Sequence, residues 1–320
     1  MASASAAIRP VPGPLTRARH WLASFKEPES LAAFAFLSPW MFGFVVFTAG
    51  PMVASAILSF TDYSVIQTTH DVGFANYRAL YNDPKVSQAL RNTVIFTLMV
   101  VPAHVIFSLW LATLLARVGK FAGFFRTVFY LPTMTPLVAV GVLYYFLFNG
   151  DYGLFNVFLG LFGIKGPYWT SDPSWIKPGL MLMMLWQVGT SVVILLAALM
   201  NVPQNLVEAA AIDGASTWRR FRDVTIPMIS PAIFFIVIIN TIGTLQTFDQ
   251  VFTAYYNQNT PQGNDAALFY VIYLFQQAFQ FFHLGYASAL AWVLFGLIMA
   301  VTAVQFLVGR RFVYYEGGAR

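Results

Sequence analysis

Six stretches of this chain run for at least 22 residues without an Asp, Glu, Lys or Arg: 31–60, 93–116, 127–148, 178–200, 226–248 and 284–309. An α-helix needs about 20 apolar residues to cross the hydrocarbon core of a bilayer. Runs of this length cannot all be hidden in the core of a water-soluble domain. Charged residues make up 10% of the chain and hydrophobic residues 58%, whereas a soluble domain carries about 25% charge. The expected fold class is therefore all-α, a polytopic membrane protein with six transmembrane helices. A membrane domain over 31–309 is flanked by tails at 1–30 and 310–320. A seventh apolar run, 266–282, is shorter and holds Gln276, Gln277 and Gln280. It reads as a helix lying at the interface or packed over the outer mouth.

The basic residues set the expected orientation, since Lys and Arg collect on the cytoplasmic side. With an inner N-terminus and six spans, the inner segments hold Arg9, Arg17, Arg19, Lys26, Arg117, Lys120, Arg126, Arg219, Arg220, Arg222, Arg310, Arg311 and Arg320. The outer loops hold only Arg78, Lys85, Arg91, Lys165 and Lys177. Both termini are then cytoplasmic, and the first span stays as an anchor, because its apolar run is far longer than that of a cleaved signal. The net charge of +5 belongs to membrane edges and membrane lipid, not to nucleic acid.

Catalytic chemistry is missing. There is no Cys and no phosphate-cradling GxxxxGK[ST] loop, and His20, His70, His104 and His283 lack zinc-helix spacing. His104 lies inside a span, where it serves either as a proton relay or as an interhelical hydrogen-bonding group. No carboxylate, Lys or Arg lies within the six runs. This disfavours the competing reading of an ion-coupled secondary transporter of a small polar solute, which places ionisable groups in its bundle. The chain is expected to bind no metal or cofactor and to be no enzyme.

The loop 201–227 is the most informative stretch. Pro203 suits a first helical turn, Gln204 to Asp213 are good helix formers, and Gly214 supplies a stop. Ser216 caps a second short helix that is expected to run to Pro227. Val207, Ala210, Ala211 and Gly214 recur at helical spacing as a face of small side chains, with Glu208 beside it. From these residues alone, the loop is either a docking surface or a connector lying on headgroups, with its arginines on anionic lipid.

In the fifth span Asn240, Gly243, Thr244, Thr247 and Gln250 share an arc of about 120°. Uncharged amides and hydroxyls suit a sugar. Interhelical packing is the other reading of the stripe, and both stand at this point. Asp249 lies just beyond it. Trp186 and Gln187 of the fourth span and Tyr144 and Tyr145 of the third offer aromatic platforms, although an interfacial aromatic belt fits the two tyrosines better. Asp151, Trp169 and Asp172 are candidate contacts for an outer partner.

Glu208-Ala209-Ala210, three residues, Gly214, nine residues and then Val224-Thr225-Ile226-Pro227 resemble the EAA loop of ABC-importer permeases, Glu-Ala-Ala, three residues, Gly, nine residues, Ile-x-Leu-Pro. Val224 and Ile226 replace the Ile and Leu of that pattern; its spacing is intact. Gly73–Tyr77, Phe129–Pro132, Trp169–Pro173, Gly285–Ala289 and Arg311–Gly317 resemble stretches of permeases for oligosaccharides and glycerol-3-phosphate-like solutes. The sequence Tyr255–Pro261 departs from the Gly-Gly-Pro turn common after the fifth span of such permeases.

The resemblance implies the type I ABC-importer permease fold and one half of a pore in the cytoplasmic membrane of a bacterium or archaeon. It implies cytoplasmic ATPase subunits that hold ATP and Mg, a second permease, most naturally a related paralogue, and an extracytoplasmic solute-binding protein that delivers a sugar-like substrate. Glu208, Ala209, Ala210, Gly214, Arg219, Ile226 and Pro227 would then couple to the ATPase. Asn240, Thr244, Thr247, Asp249, Gln250, Trp186 and Gln187 are the candidate pathway residues.

Overall fold

A computed structural model describes residues 28–64, 69–256 and 265–314. These fall into two units, one reaching to Ile57 and the other starting at Leu58. In the first, α1 (Pro28–Phe44), a π turn (Val45–Ala49) and α2 (Gly50–Leu58) make one apolar helix over Ala32–Leu58. Its side chains, among them Phe36, Trp40 and Phe47, are exposed, as befits a helix whose solvent is lipid. Most of the N-terminal tail and residues 257–261 lie outside the described residues.

The second unit is helical throughout, with isolated bridges in place of strands among the described residues. Its elements are α3 (Ala75–Asn82), α4 (Pro84–Leu115), α5 (Ala122–Tyr130), α6 (Leu137–Leu147), α7 (Leu154–Leu161), α8 (Pro173–Trp186) and α9 (Gly189–Met200). They are followed by α10 (Gln204–Ile212), α11 (Thr217–Arg220), α12 (Ile226–Leu245), α13 (Asp249–Tyr255), α14 (Tyr270–Phe275) and α15 (Leu284–Phe312). Four helices of the described residues are long and apolar enough to span: Ala32–Leu58, Pro84–Leu115, Thr217–Tyr255 and Leu284–Phe312. Two bent pairs bring the number to six if each pair is one span.

The bent pairs depart from the expectation of simple spans at 127–148 and 178–200. Between α5 and α6 the axis turns by 96°. Pro136 sits at the turn, and Thr135 before it is extended (φ −73°, ψ 127°). A proline disfavours the helical conformation in its predecessor, and with Thr135 extended the axis breaks here. Between α8 and α9 the bend is 53°, with no proline to announce it. There Gly189 meets the backbone of α5 so closely that a Cβ would lie 2.3 Å from the Phe129 carbonyl oxygen.

α4 is the common partner: α8, α9, α12 and α14 all pack on it. One buried cluster joins Val86, Phe96 and Val100 of α4 to Tyr144, Ile176, Tyr255, Phe269 and Leu290. A second joins Leu111 and Leu115 at the far end of α4 to Val192, Leu195 and Ile236. The segment 266–282, expected at the interface or packed over the outer mouth, joins the first cluster through its N-terminal half. Ala266 to Tyr270 and Ile272 are all buried. Its backbone is satisfied by α4 side chains: Asn92 Nδ2 donates to the Asp265 and Leu268 carbonyls (3.0 and 2.9 Å), and the Tyr270 amide donates to Thr93 Oγ1 (2.9 Å). Its C-terminal end is open, with Phe279, Phe281 and Phe282 exposed.

The head of α4 is fastened by Asp83. One carboxylate oxygen caps the helix by accepting from the Lys85 amide (2.8 Å). The other accepts from the hydroxyls of Tyr273 (2.5 Å) and Tyr286 (2.9 Å), so α4, α14 and α15 meet at one side chain. Lys85 pairs with Asp265 alongside. Gly285 lies against the Thr61 carbonyl, where a Cβ would approach to 2.0 Å. Its amide donates to the Tyr63 carbonyl (3.0 Å). Asn76 holds the same strip by donating to the carbonyls of Ser59 (2.9 Å) and Thr61 (2.8 Å).

Burial pushes the Asp83 pKa up, but the hydrogen bonds from Tyr273, the Lys85 amide and Tyr286 outweigh it and hold the carboxyl below its ordinary value. A lowered pKa means that the stabilisation is complete above the ordinary value and is lost as pH falls through the lowered one. Asp83→Ala should cost about 1–3 kcal/mol, measured by thermal unfolding of the solubilised chain. The wild type's advantage should shrink as pH falls below about 3.8.

Candidate functional site

The loop between α9 and α12 is built around a short helix held off the bundle. α10 begins after Pro203, whose fixed φ (−60°) and extended ψ (120°) orient the entry. It ends on a double closure. The Gly214 amide donates to the Ala211 carbonyl (3.1 Å) and the Ala215 amide to the Ala210 carbonyl (3.0 Å), the pair of bonds that defines a Schellman motif. Gly214 stands at φ 79°, a left-handed conformation that penalises any Cβ. The glycine of the motif thus has a backbone reason rather than a packing one among the described residues, since a Cβ there would meet nothing within 4 Å.

Ser216 then caps the next helix, its Oγ accepting from the Arg219 amide (3.3 Å). The second helix does not stop at Pro227 as expected. α11 passes through a π turn (Phe221–Thr225) directly into α12. Pro227 has no N–H to offer and its ring crowds the preceding turn; the wider π turn just before it gives the room. Ile226 and Pro227 are half-buried in this continuous rod, so the loop 201–227 ends in the first turns of a spanning helix.

The face of α10 is open. Glu208, Ala209 and Ala211 are exposed, Ala210 half-buried, and Ile212 is 87% exposed. Glu208 has no ion-pair or hydrogen-bond partner among the described residues. Arg219 and Arg222 both lean on Asp223, at 3.7 and 2.7 Å. Below the loop, α15 ends beside α12: the Tyr314 amide donates to Ser230 Oγ (2.9 Å), and Gly309 lies where a Cβ would stand 2.5 Å from the Phe234 ring.

The fifth-span stripe divides. Thr244, Thr247 and Gln250 are buried, 4%, 4% and 5% exposed. Their neighbours explain this: Thr244 donates to the Asn240 and Thr241 carbonyls (2.8 and 3.2 Å), and Thr247 to that of Gly243 (3.5 Å). Among the described residues these three are covered by neighbouring elements. Asn240 is half-buried, with its amide on the Ile236 carbonyl (2.9 Å), while Gly243 and Asp249 are exposed. Trp186 is exposed and Gln187 half-buried, the latter reaching the Pro132 carbonyl at 3.5 Å. Trp186 lines an apolar cavity of about 330 Å3 with Phe155, Leu182 and Met183.

The aromatic-belt reading fails for Tyr144, which is buried and hydrogen-bonded to Tyr255 (3.1 Å) and the Trp169 carbonyl (3.2 Å). Trp169 is also buried, its ring nitrogen donating to Asn156 Oδ1 (2.8 Å), so it is not available to an outer partner. Asp172 caps α8 through the Ser174 amide (2.9 Å), and Asp151 is exposed. His104 bonds Ser191 of α9 (3.0 Å), an interhelical clamp.

Comparison with known proteins bears on this arrangement. Residues 104–314 match the model of the binding-protein-dependent transport system inner membrane component family. The chain belongs to this family. It is 36% identical over 291 residues to the probable ABC transporter permease protein YesP of Bacillus subtilis, covering 90% of this chain and 93% of that one. It is 33% identical over 292 residues to the lactose transport system permease protein LacF of Rhizobium radiobacter, covering 90% and 97%. A solved structure of a bacterial ABC transporter involved in the import of alginate superposes with a TM-score of 0.79 at 22% identity, covering 92% of this permease and all of that chain. The shared fold is that of a type I importer permease. This chain is therefore a multi-pass inner-membrane permease subunit of a binding-protein-dependent importer, and its family is one of transport proteins rather than enzymes.

Several residues that hold the permease together gave no sign of it in the sequence. Asp83 reads there as one member of an Asn-Asp-Pro turn, and its helix-capping position was the one available signal. Its tyrosine partners lie about 200 residues away in the chain, and no local pattern announces them. The Gln305 amide, which donates to Thr241 Oγ1 (2.8 Å), is equally silent.

Replacing Gly214 with Ala should strain the left-handed cap by about 1 kcal/mol. Hydrogen exchange should then speed up about fivefold at the Gly214 and Ala215 amides and stay unchanged in α12.

Proposed function

We propose that this permease forms half of the translocation pore of an ATP-driven sugar importer and is driven through α10. The observation that carries the reading is an exposed, glycine-capped helix carrying the Glu208 carboxylate, joined by one short turn to a rod that continues into the membrane. Small side chains at Ala209, Ala210 and Gly214 permit close approach of a protein surface. Glu208, with Asp213 at the helix end, supplies negative charge on that approach, suited to a basic or N–H-rich groove. In this account the ATPase is a separate cytoplasmic subunit that carries ATP and Mg, and both termini of the permease lie on its side. Force applied to α10 passes through the short Schellman turn at Gly214 into α11 and α12.

The sugar assignment rests on names of relatives and on side-chain chemistry. LacF serves lactose; relatives at 34% and 31% identity are named for sulfoquinovosyl glycerol and arabinooligosaccharides. The spans of this permease offer amides, hydroxyls and aromatic rings without charge. Asn240, Asp249, Trp186 and Gln187 are the accessible members of the candidate pathway. A second permease would complete the pore, and an external binding protein would deliver the solute. The alginate transporter has been seen with its ligand-bound periplasmic protein.

Two substitutions test this. Glu208→Lys in the assembled transporter should lower uptake at least tenfold while leaving membrane insertion unchanged; normal uptake would remove Glu208 from the coupling role. Asn240→Leu should reduce uptake without loss of ATPase association, whereas Thr247→Val, at a buried and self-satisfied hydroxyl, should change uptake less than twofold. If the two variants behave alike, the accessible residues are not the ones that meet the solute.

A further inference from the structure

A groove of about 590 Å3 lies beside the foot of α4, where the chain leaves the bilayer. Ile106, Leu109 and Trp110 of α4 face Trp218 of α11 and Phe221 just after it, with Thr113 between. Thr113 turns its hydroxyl back to the Leu109 carbonyl (2.8 Å), so its contribution to the wall is its methyl group. The wall is apolar along nearly its whole length. One end differs: Arg117 and Thr217 line it. Arg220 donates from Nη2 to Thr217 Oγ1 (3.3 Å), and its Nε is buried without a partner.

One guanidinium group, that of Arg117, therefore lines the trough, and a second, that of Arg220, is bonded to its wall residue Thr217. Neither pairs with a carboxylate among the described residues. The nearby acid, Asp223, is already engaged by Arg219 and Arg222. A buried guanidinium N–H without an acceptor is costly, and a planar fork of donors is matched by the oxygens of a phosphate. Tryptophans at such a mouth favour the headgroup level of a membrane.

We propose that this groove binds one anionic glycerophospholipid, with its phosphate on Arg117 and Arg220 and an acyl chain along Ile106, Leu109 and Trp110. Basic pockets between spanning helices take anionic headgroups in this way. The lipid would wedge between α4 and the start of the rod that carries α10, so its presence would stiffen the root of that rod. The proposal rests on the chain's place in a bilayer and not on the coupling role of Glu208; either can fail alone.

The test uses the assembled transporter in nanodiscs of phosphatidylcholine with roughly a quarter phosphatidylglycerol. A photoreactive benzoylphenylalanine replaces Ile106, which is 68% exposed, and adducts are read by mass spectrometry. Adducts at Ile106 should be enriched in phosphatidylglycerol about fivefold over the disc composition, the factor expected of one cation near an anionic headgroup. The same probe at Leu98, exposed on α4 away from the groove, should report the bulk composition. Arg117→Gln should abolish the enrichment and Arg117→Lys should keep much of it. Adducts to a protein subunit in place of lipid, or lipid adducts at Ile106 that match the bulk, would overturn the proposal.

Discussion

A chain surrounded by hydrocarbon has no water to satisfy its polar groups, so each one must find a partner inside the protein. That constraint organises this permease around α4. Its Asp83 head accepts from two tyrosines of other elements, its Asn92 and Thr93 satisfy the backbone before α14, and its His104 bonds Ser191 of α9. The same helix carries both buried clusters. Packing alone would hold these helices weakly, because lipid tails are as apolar as leucine. The polar pins select which helices meet and at what height.

The same constraint explains the hydroxyl stripe of α12. A threonine hydroxyl facing other helices costs least when it returns its hydrogen to its own backbone, as Thr244 and Thr247 do. Helical periodicity reports that such residues share a side of the helix. It does not report whether that side meets a lumen or a neighbour, since both demand the same small polar side chains.

How far the fold was legible follows from this difference. Six apolar runs were readable because hydrophobic length is a local property. The cap at Gly214 and the cap at Ser216 were readable for the same reason: each depends on residues within four positions. The sharp bend at Pro136 carried a local signal in its proline, whereas the bend near Gly189 depends on α5 lying alongside and is invisible in a linear reading. For the segment 266–282 the sequence left interface and outer-mouth packing both open, because the burial of its first half is decided by Asn92, Thr93 and Leu290 far away. Tyr144, near a span end, looks interfacial, and Trp169, in an outer loop, looks free for a partner, until their hydrogen-bond partners are known. The motif Glu208 to Pro227 was legible as a pattern, but the merging of its second half into α12 depends on a π turn that no spacing rule supplied.

From Thr217 to Leu245 the backbone runs as one helical strut, about 43 Å at 1.5 Å per residue. A strut of that length is a lever arm. A tilt of ~5° about one end sweeps the other through ~4 Å, about the width of one side chain. On the proposed coupling through α10, a small displacement on the short side of a pivot would thereby be magnified at the far end of the strut.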